Sequence, residues 1–385
     1  MSTAAPPAPA PRRPAPPFDD EHEAFRAEVR EFVSAELRPH AARWEAEGHF
    51  PDSVFTTMAD AGYLGLKYPR RYGGQERGPL ADAVLCEELG RCGSGGLAAG
   101  IGAHTGIATP PVWSFGTEDQ HRRYLVPAIR GESIAALGIT EPDAGSDVAA
   151  VRTRAERVDG GWLVNGSKTY ITNGARAHFM VTAVRTNEQP GHGGLSFLIV
   201  DRGPGVQATT LRKLGWHASD TAEVALQDVF VPEQNLLGQE GRGFYLIMAN
   251  FQWERLLMAL GAVGAMRFGF ERTRELLLDG GGCGQATRHT MAELAVLIEA
   301  GAALTYHALR LHCAGVDAVR EVTEAKLATQ RANFVLQDTC LQLHGHAAYV
   351  EQAGFARAAR DARLGPIGGG TDEIMREILG KTLGL

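Results

Sequence analysis

Behind the acidic start Asp19-Asp20-Glu21, apolar residues recur at helical spacing as Phe25, Val29, Phe32, Val33 and Leu37, and Pro39 closes the run. The spacing predicts an amphipathic first helix. Further helical stretches follow to about Gly131, interrupted at Tyr72-Gly73-Gly74 and at Gly93-Ser94-Gly95-Gly96. From about Ile134 to Leu237 the texture changes to short β-branched and aromatic runs, such as Phe179–Val184 and Leu195–Val200, divided by Gly, Asn, Asp and Pro. That pattern predicts an all-β middle. From Gly243 onward helical periodicity returns, with Met291, Leu294, Leu297, Ile298, Leu304 and Leu309, then Leu327, Phe334 and Leu341. A bundle of long helices is expected there. Helix, strand and helix in three blocks imply an α+β chain of packed domains and not the strict alternation of a doubly wound parallel sheet.

Composition sets the limits of this picture. A chain of 385 residues exceeds what one hydrophobic core serves, so several packed units are expected. Residues 1–17 are nearly all Ala, Pro, Ser, Thr and Arg, a composition that predicts a disordered tail. The remainder divides into a helical domain at 18–133, a β-domain at 134–237 and a helical bundle at 238–385. The prolines of the tail forbid the continuous apolar stretch of a secretory signal, which makes the cytoplasm the expected compartment. No apolar run reaches the roughly 18 to 20 residues of a bilayer span, so none is expected. A net charge of -7 with interspersed signs argues against a nucleic-acid surface and points to small-molecule or protein partners. The five cysteines lack metal-ligand spacing and suit free thiols. Only five of the 38 basic Lys and Arg residues are lysines, a bias attributable to genome composition.

The familiar chemical signatures are missing. No G-x-G-x-x-G follows a predicted strand and opens a helix; Gly93-Ser94-Gly95 with Ala98 comes closest, but follows the helical Glu87-Glu88-Leu89. Neither G-x-S-x-G nor H-E-x-x-H occurs. What remains is Gly138-Ile-Thr-Glu-Pro-Asp-Ala-Gly-Ser-Asp147, a strand end entering a turn whose backbone amides and Thr140 and Ser146 hydroxyls suit a polar heterocycle such as a flavin edge. Thirty residues on, Lys168-Thr-Tyr-Ile-Thr-Asn-Gly174 offers Tyr170 for stacking near such a ring and Thr172 for its reactive nitrogen.

With these segments, the chain resembles the acyl-CoA dehydrogenase family over nearly all its length after the tail. The likeness rests on Ala61-Gly-Tyr-Leu-Gly-Leu66 with Tyr72-Gly-Gly74, Thr140–Asp147, Lys168–Gly174, Asp228-Val-Phe-Val-Pro232 and Gly370-Thr-Asp-Glu-Ile374. It implies an N-terminal helical domain, a middle β-domain of sandwich or barrel-like form, and a C-terminal four-helix bundle, with FAD held where they meet. In the family a carboxylate removes the proton beside a thioester carbonyl while hydride leaves the neighbouring carbon for the flavin. Many members place that Glu just before a Gly-Thr near the C-terminus, where this chain has Gly369 before Gly370-Thr371. Isovaleryl-type and long-chain-type members carry it on a helix of the last domain ahead of an Arg, and Phe251-Gln-Trp-Glu-Arg255 makes Glu254 the expected base. Heading an apolar run, Glu254 is expected at a desolvated wall that raises its pKa; the other reading of Glu254-Arg255 is a surface ion pair.

The resemblance further implies FAD contacts from Leu137, Ile139, Thr140, Gly145, Ser146, Tyr170 and Thr172. Arg274, Gln285, Gln342, Gly345, Thr371 and Glu373 occupy positions that grip phosphates and adenine, partly those of a neighbouring subunit. Ser146, Phe251, Arg255 and the Gly369 N–H are implied on the substrate side. Two departures bear on the adenosine end: Leu277-Leu278 replace the family's Phe-Gly, and His346 and Ala348 interrupt its Gly-Gly-x-Gly. The expected activity is FAD-dependent α,β-dehydrogenation of an acyl-CoA or acyl-carrier-protein thioester. Electrons would pass to an electron-transfer flavoprotein or similar acceptor, from a homodimer, homotetramer or hetero-oligomer. A flavin oxidase or monooxygenase on the same fold, and a non-catalytic subunit of a hetero-oligomeric dehydrogenase, are the alternatives.

Overall fold

Asp19 starts the first helix, Asp20–Phe32, by accepting a hydrogen bond from the His22 backbone N–H at 3.0 Å. This computed structural model describes residues 15–189 and 191–385, so most of the tail expected at 1–17 lies outside the described residues. The first helix continues through a π-helical turn, Val33–Leu37, into a 3-10 turn, Arg38–His40, which contains Pro39. Phe25, Val29, Val33 and Leu37 are buried as their spacing predicts. At the second predicted break, the Ser94 hydroxyl accepts from Leu97 N–H at 3.1 Å and opens the helix Gly95–Gly102. Glu87 and Glu88, on the helix Gly78–Leu89, are each 1% exposed and would be costly if left unpaired. Arg26 and Arg30 of the first helix and Arg267 of the long helix Gly243–Asp279 neutralise them. That network fastens the N-terminal helices to the C-terminal ones.

The middle of the chain forms one eight-stranded sheet. Its strands are β1 (Ala135–Gly138), β2 (Arg154–Val158), β3 (Gly161–Ile171), β4 (Phe179–Arg185), β5 (Leu195–Asp201), β6 (Val206–Thr210), β7 (Ala222–Pro232) and β8 (Leu236–Leu237). Their order is β6-β7-β3-β2-β4-β5-β8, and β1 pairs parallel with β4. The continuous apolar runs of β4 and β5 are explained by burial on both faces. Phe179, Val181, Ala183, Phe197 and Ile199 face a core shared with Leu246 and Ile247 of the long helix. Met180, Val184, Leu198 and Val200 face a second core with Trp162, Val224 and Val231. The sheet is thereby held directly against the helix that carries Glu254.

Helices Gly243–Asp279, Gln285–Cys313 and Val319–His344 form the bundle, and Asp372–Thr382 packs on the third of them. In the second, Leu294, Ile298 and Leu309 are buried, as expected, but Leu304 is 39% exposed. That helix corrects the expectation of no span-like segment. It is long and apolar enough to cross a bilayer by length and composition, yet it seats Leu294, Ile298 and Tyr306 in the core. The third helix corrects another expectation: Phe334 of its apolar stripe is 36% exposed, whereas Lys326, Thr329, Gln330, Asn333 and Gln337 are buried. Its inward face mixes these polar residues with Val322, Ala325, Leu336 and Cys340, and Lys326, Gln330 and Gln337 donate to backbone carbonyls of neighbouring elements.

One carboxylate joins all three regions. Asp361, on the helix Phe355–Ala362, accepts from Gly95 N–H at 2.9 Å and from Trp216 N–H at 2.6 Å. Burial, and then the neighbouring Glu45, push its pKa up to about 7.

Candidate active site

Two segments singled out in the sequence meet at the end of β1. Thr169 N–H donates to the Thr140 carbonyl at 2.9 Å. Lys168 Nζ donates to the Ile139 carbonyl at 3.1 Å and to Glu141 Oε1 at 2.7 Å. Glu141 Oε2 accepts from Arg152 N–H at 2.7 Å and Oε1 from Thr153 N–H at 2.9 Å, so the loop after β1 is pinned from three sides. Burial brings the Lys168 ammonium down to about 8 against the pull of Glu141. Burial also opposes ionisation of Glu141, but Lys168 and the hydrogen bonds hold it below the usual carboxylate range. Register slips between Lys168 and Ile171, where Tyr170 takes φ 59° and stands 70% exposed. Gly145 and Ser146 are exposed, Leu137, Thr140 and Thr172 are half-buried, and Ile139 is buried. The result is a rigid base presenting an aromatic ring and several polar groups.

Glu254 stands on the long helix Gly243–Asp279, whose first turns pack on the sheet through Leu246 and Ile247 and whose later turns, from Trp253, pack into the helical core. Its Oε2 is buried and has no hydrogen-bond partner, which removes the surface ion pair as a reading. Burial pushes its pKa up to about 7, against the opposing charges of Arg255 and Lys326. Arg255 lies over the Phe251 ring at 5.6 Å, and burial lowers its own pKa. An unpartnered buried carboxylate that ionises near neutrality is suited to taking a proton from a weak carbon acid.

Facing this helix is the turn Gly368-Gly369-Gly370. Gly369 has φ +59°, and a Cβ added there would run into the Met258 sulfur. A Glu at 369, the alternative place for a base, is thus opposed by backbone conformation and by a side chain from the helix that bears Glu254. Gly369→Ala is expected to cost about 1–3 kcal/mol in thermal or denaturant unfolding. Adding Met258→Ala should recover only the steric part, because the left-handed strain persists. A Gly369→Ala protein that unfolds with the wild type would remove this account.

The other expected cofactor residues separate into two groups. Thr371 and Glu373 follow the glycine turn; the Thr371 hydroxyl accepts from Ile374 N–H at 3.2 Å, and the exposed Glu373 pairs with Arg376. Arg274, Gln285, Gln342 and Gly345 lie instead at helix ends remote from Glu254. Along the long helix, Arg274 is about 30 Å from Glu254 at 1.5 Å per residue. Gly345 has φ +57° and open space where a Cβ would stand, His346 is exposed, and Ala348 is 1% exposed within the core. Sequence reasoning missed Lys326, Gln330 and Asp361. The scarcity of lysine in an arginine-rich chain was a usable signal for the first.

Family models for the N-terminal, middle and C-terminal domains of acyl-CoA dehydrogenases match residues 19–132, 136–229 and 241–384. The mitochondrial long-chain specific acyl-CoA dehydrogenase of Sus scrofa is 36% identical over 377 residues, covering 95% of this chain and 87% of that protein. Mitochondrial isovaleryl-CoA dehydrogenase of Oryza sativa subsp. japonica is 34% identical over 385 residues, covering 95% and 92%. The crystal structure of an acyl-CoA dehydrogenase from Geobacillus kaustophilus is similar at a TM-score of 0.92 and 37% identity, covering 97% of this chain and 100% of that one.

Proposed function

This chain belongs to the acyl-CoA dehydrogenase family, and from that premise we propose that Glu254 is the base that takes the α-proton of its acyl thioester. The protein is an FAD-dependent oxidoreductase that dehydrogenates acyl thioesters at a CH–CH bond. Bound FAD supplies the hydride acceptor. The residues present fit that group: the Thr140 loop and the Lys168–Gly174 segment are locked together, and the Tyr170 ring stands exposed on them.

The observation that carries the base assignment is the buried, unpartnered Oε2 of Glu254. An ionised carboxylate there pulls the α-proton, and the pull is strong because burial has raised its affinity for a proton. The Gly369 N–H polarises the thioester carbonyl and so acidifies that proton. Phe251 and Arg255 shape the acyl side of the site, and Ser146, exposed in the loop after β1, serves the substrate. Arg274, Gln285, Gln342 and Gly345, remote from Glu254 within one chain, serve the adenosine end of the FAD of a second copy. The substrate is an acyl-CoA, or an acyl group on a carrier protein, and the electrons leave to an electron-transfer flavoprotein.

Anaerobic incubation with thioester mixtures, followed by product mass spectrometry, tests the activity. A product two hydrogens lighter than its substrate, with matching flavin bleaching, is expected; bleaching with no such product would sink it. The pH dependence tests the base. With a pKa of about 7, Glu254 is ionised above neutrality, so kcat/KM should rise through pH 7 and fall about tenfold per unit well below it. A profile flat from pH 5 to 9 would rule out a base of this kind.

A further inference from the structure

Two glutamines of Val319–His344 reach the long helix at one constant offset. Gln330 Nε2 donates to the Met258 carbonyl at 2.6 Å and Gln337 Nε2 to the Ala265 carbonyl at 3.0 Å, each across 72 residues of sequence. The two helices therefore run parallel and in register. The same offset brings Lys326, one turn before Gln330, level with Glu254. Lys326 is 0% exposed. Its Nζ donates to the Gly365 carbonyl at 2.9 Å and to the Gly370 carbonyl at 2.5 Å, the two ends of the turn that contains Gly369. A Cβ on Gly365 would strike the Gln330 side chain, so the turn is seated on this helix face.

We propose that Lys326 is a positioning residue for the dehydrogenation: it closes the glycine turn against the helix bearing Glu254 and presents its ammonium to that carboxylate as a charge partner. The proposal rests on the reading of Glu254 as the base. The charged groups facing Lys326 are Asp372 and Glu373 from the last helix and Arg255 and Glu254 from the long helix. Those facing Glu254 are Arg255 and Lys326. Burial brings Lys326 down to about 8, which leaves it charged at neutral pH. That charge works against the burial that raises Glu254 and keeps part of the carboxylate ionised where the enzyme must work. An ammonium with three rotatable donors can bond both carbonyls in so tight a space, whereas a planar guanidinium keeps the charge and loses that bonding geometry. Lysine stands here in a chain with five lysines among 38 Lys and Arg, in accord with that demand.

The test is the pH profile of flavin reduction for Lys326→Met, Lys326→Arg and Glu254→Gln. Removing the charge should move the acid limb of Lys326→Met upward by about half a pH unit or more, while Lys326→Arg returns it toward the wild-type position. Looser packing alone lowers the rate without moving the limb. Loss of reduction in Glu254→Gln with an unmoved limb in flavin-loaded Lys326→Met would overturn the Lys326 proposal and leave the base standing. Normal reduction by Glu254→Gln would overturn the base, and this proposal with it. If Lys326→Met does not fold, the wild-type protein with 15N-labelled lysine gives a second readout. Lys326, assigned by Lys326→Arg, should shift both on addition of acyl thioester and in Glu254→Gln, and a signal unmoved in both overturns the proposal.

Discussion

Glu254→Gln should leave a folded, yellow protein whose flavin is reduced by acyl thioester about 10²- to 10⁴-fold more slowly than in the wild type. The amide keeps the size of the side chain and cannot take the proton. The fold should be kept, because Glu254 Oε2 makes no hydrogen bond that the substitution would break. Stability should move in the opposite direction from activity. The pKa of Glu254 is about 7 in the folded chain, above its ordinary value of 4.5. The stability tied to its neutral form is complete below that ordinary value and is lost as pH rises through about 7. The thermal stability of Glu254→Gln relative to wild type should therefore grow from pH 5 to pH 8. Stopped-flow bleaching and melting curves at the two pH values measure both effects. Undiminished bleaching would end the assignment; a Tm difference that does not change with pH would show that the carboxyl is not desolvated.

Lys168→Met should have the largest effect on stability, about 3–5 kcal/mol. Lys168 is 0% exposed and Glu141 is 7% exposed, so removing the ammonium strands a carboxylate that keeps only its bonds to Arg152 and Thr153. The loss falls on the loop carrying Thr140, Gly145 and Ser146, and FAD retention should fall with it. The paired change Lys168→Met with Glu141→Gln should recover most of the stability, since no buried charge is then left alone. Chemical denaturation and flavin release on dilution provide the measurements. A Lys168→Met protein as stable as the wild type would mean that the pair carries no structural weight.

The third bundle helix shows where a sequence pattern misleads. Its apolar period picks out Leu327, Phe334 and Leu341, but Phe334 is 36% exposed, and Lys326, Thr329, Gln330, Asn333 and Gln337 are buried alongside Val322, Ala325, Leu336 and Cys340. Periodicity reports where apolar residues recur, and tertiary contacts decide which of them, and which polar neighbours, reach the core. Here those contacts include the carbonyls of Met258, Ala265, Gly365 and Gly370, separated from their donors by 39 to 72 residues. Nothing local to positions 319–344 announces them. Asp361 is similar, since its value lies in bonds to Gly95 and Trp216 from two other parts of the chain.

The order of helical, β and helical regions was determined by sequence alone, because apolar spacing and turn residues act over a few neighbours. The same is true of the start of the first helix at Asp19, the continuous runs of β4 and β5, and the two polar segments at Thr140 and Lys168. Glycine at 369 is also read directly from the sequence, whereas Glu254 is singled out only through resemblance to the family. Only the tertiary structure decided that Glu254 loses its solvation, that Met258 fills the space beside Gly369, and that Lys326 joins the glycine turn to the base helix. Burial and charge pairing depend on which distant residues arrive at a point. They are properties of packing, and no short stretch of chain contains them.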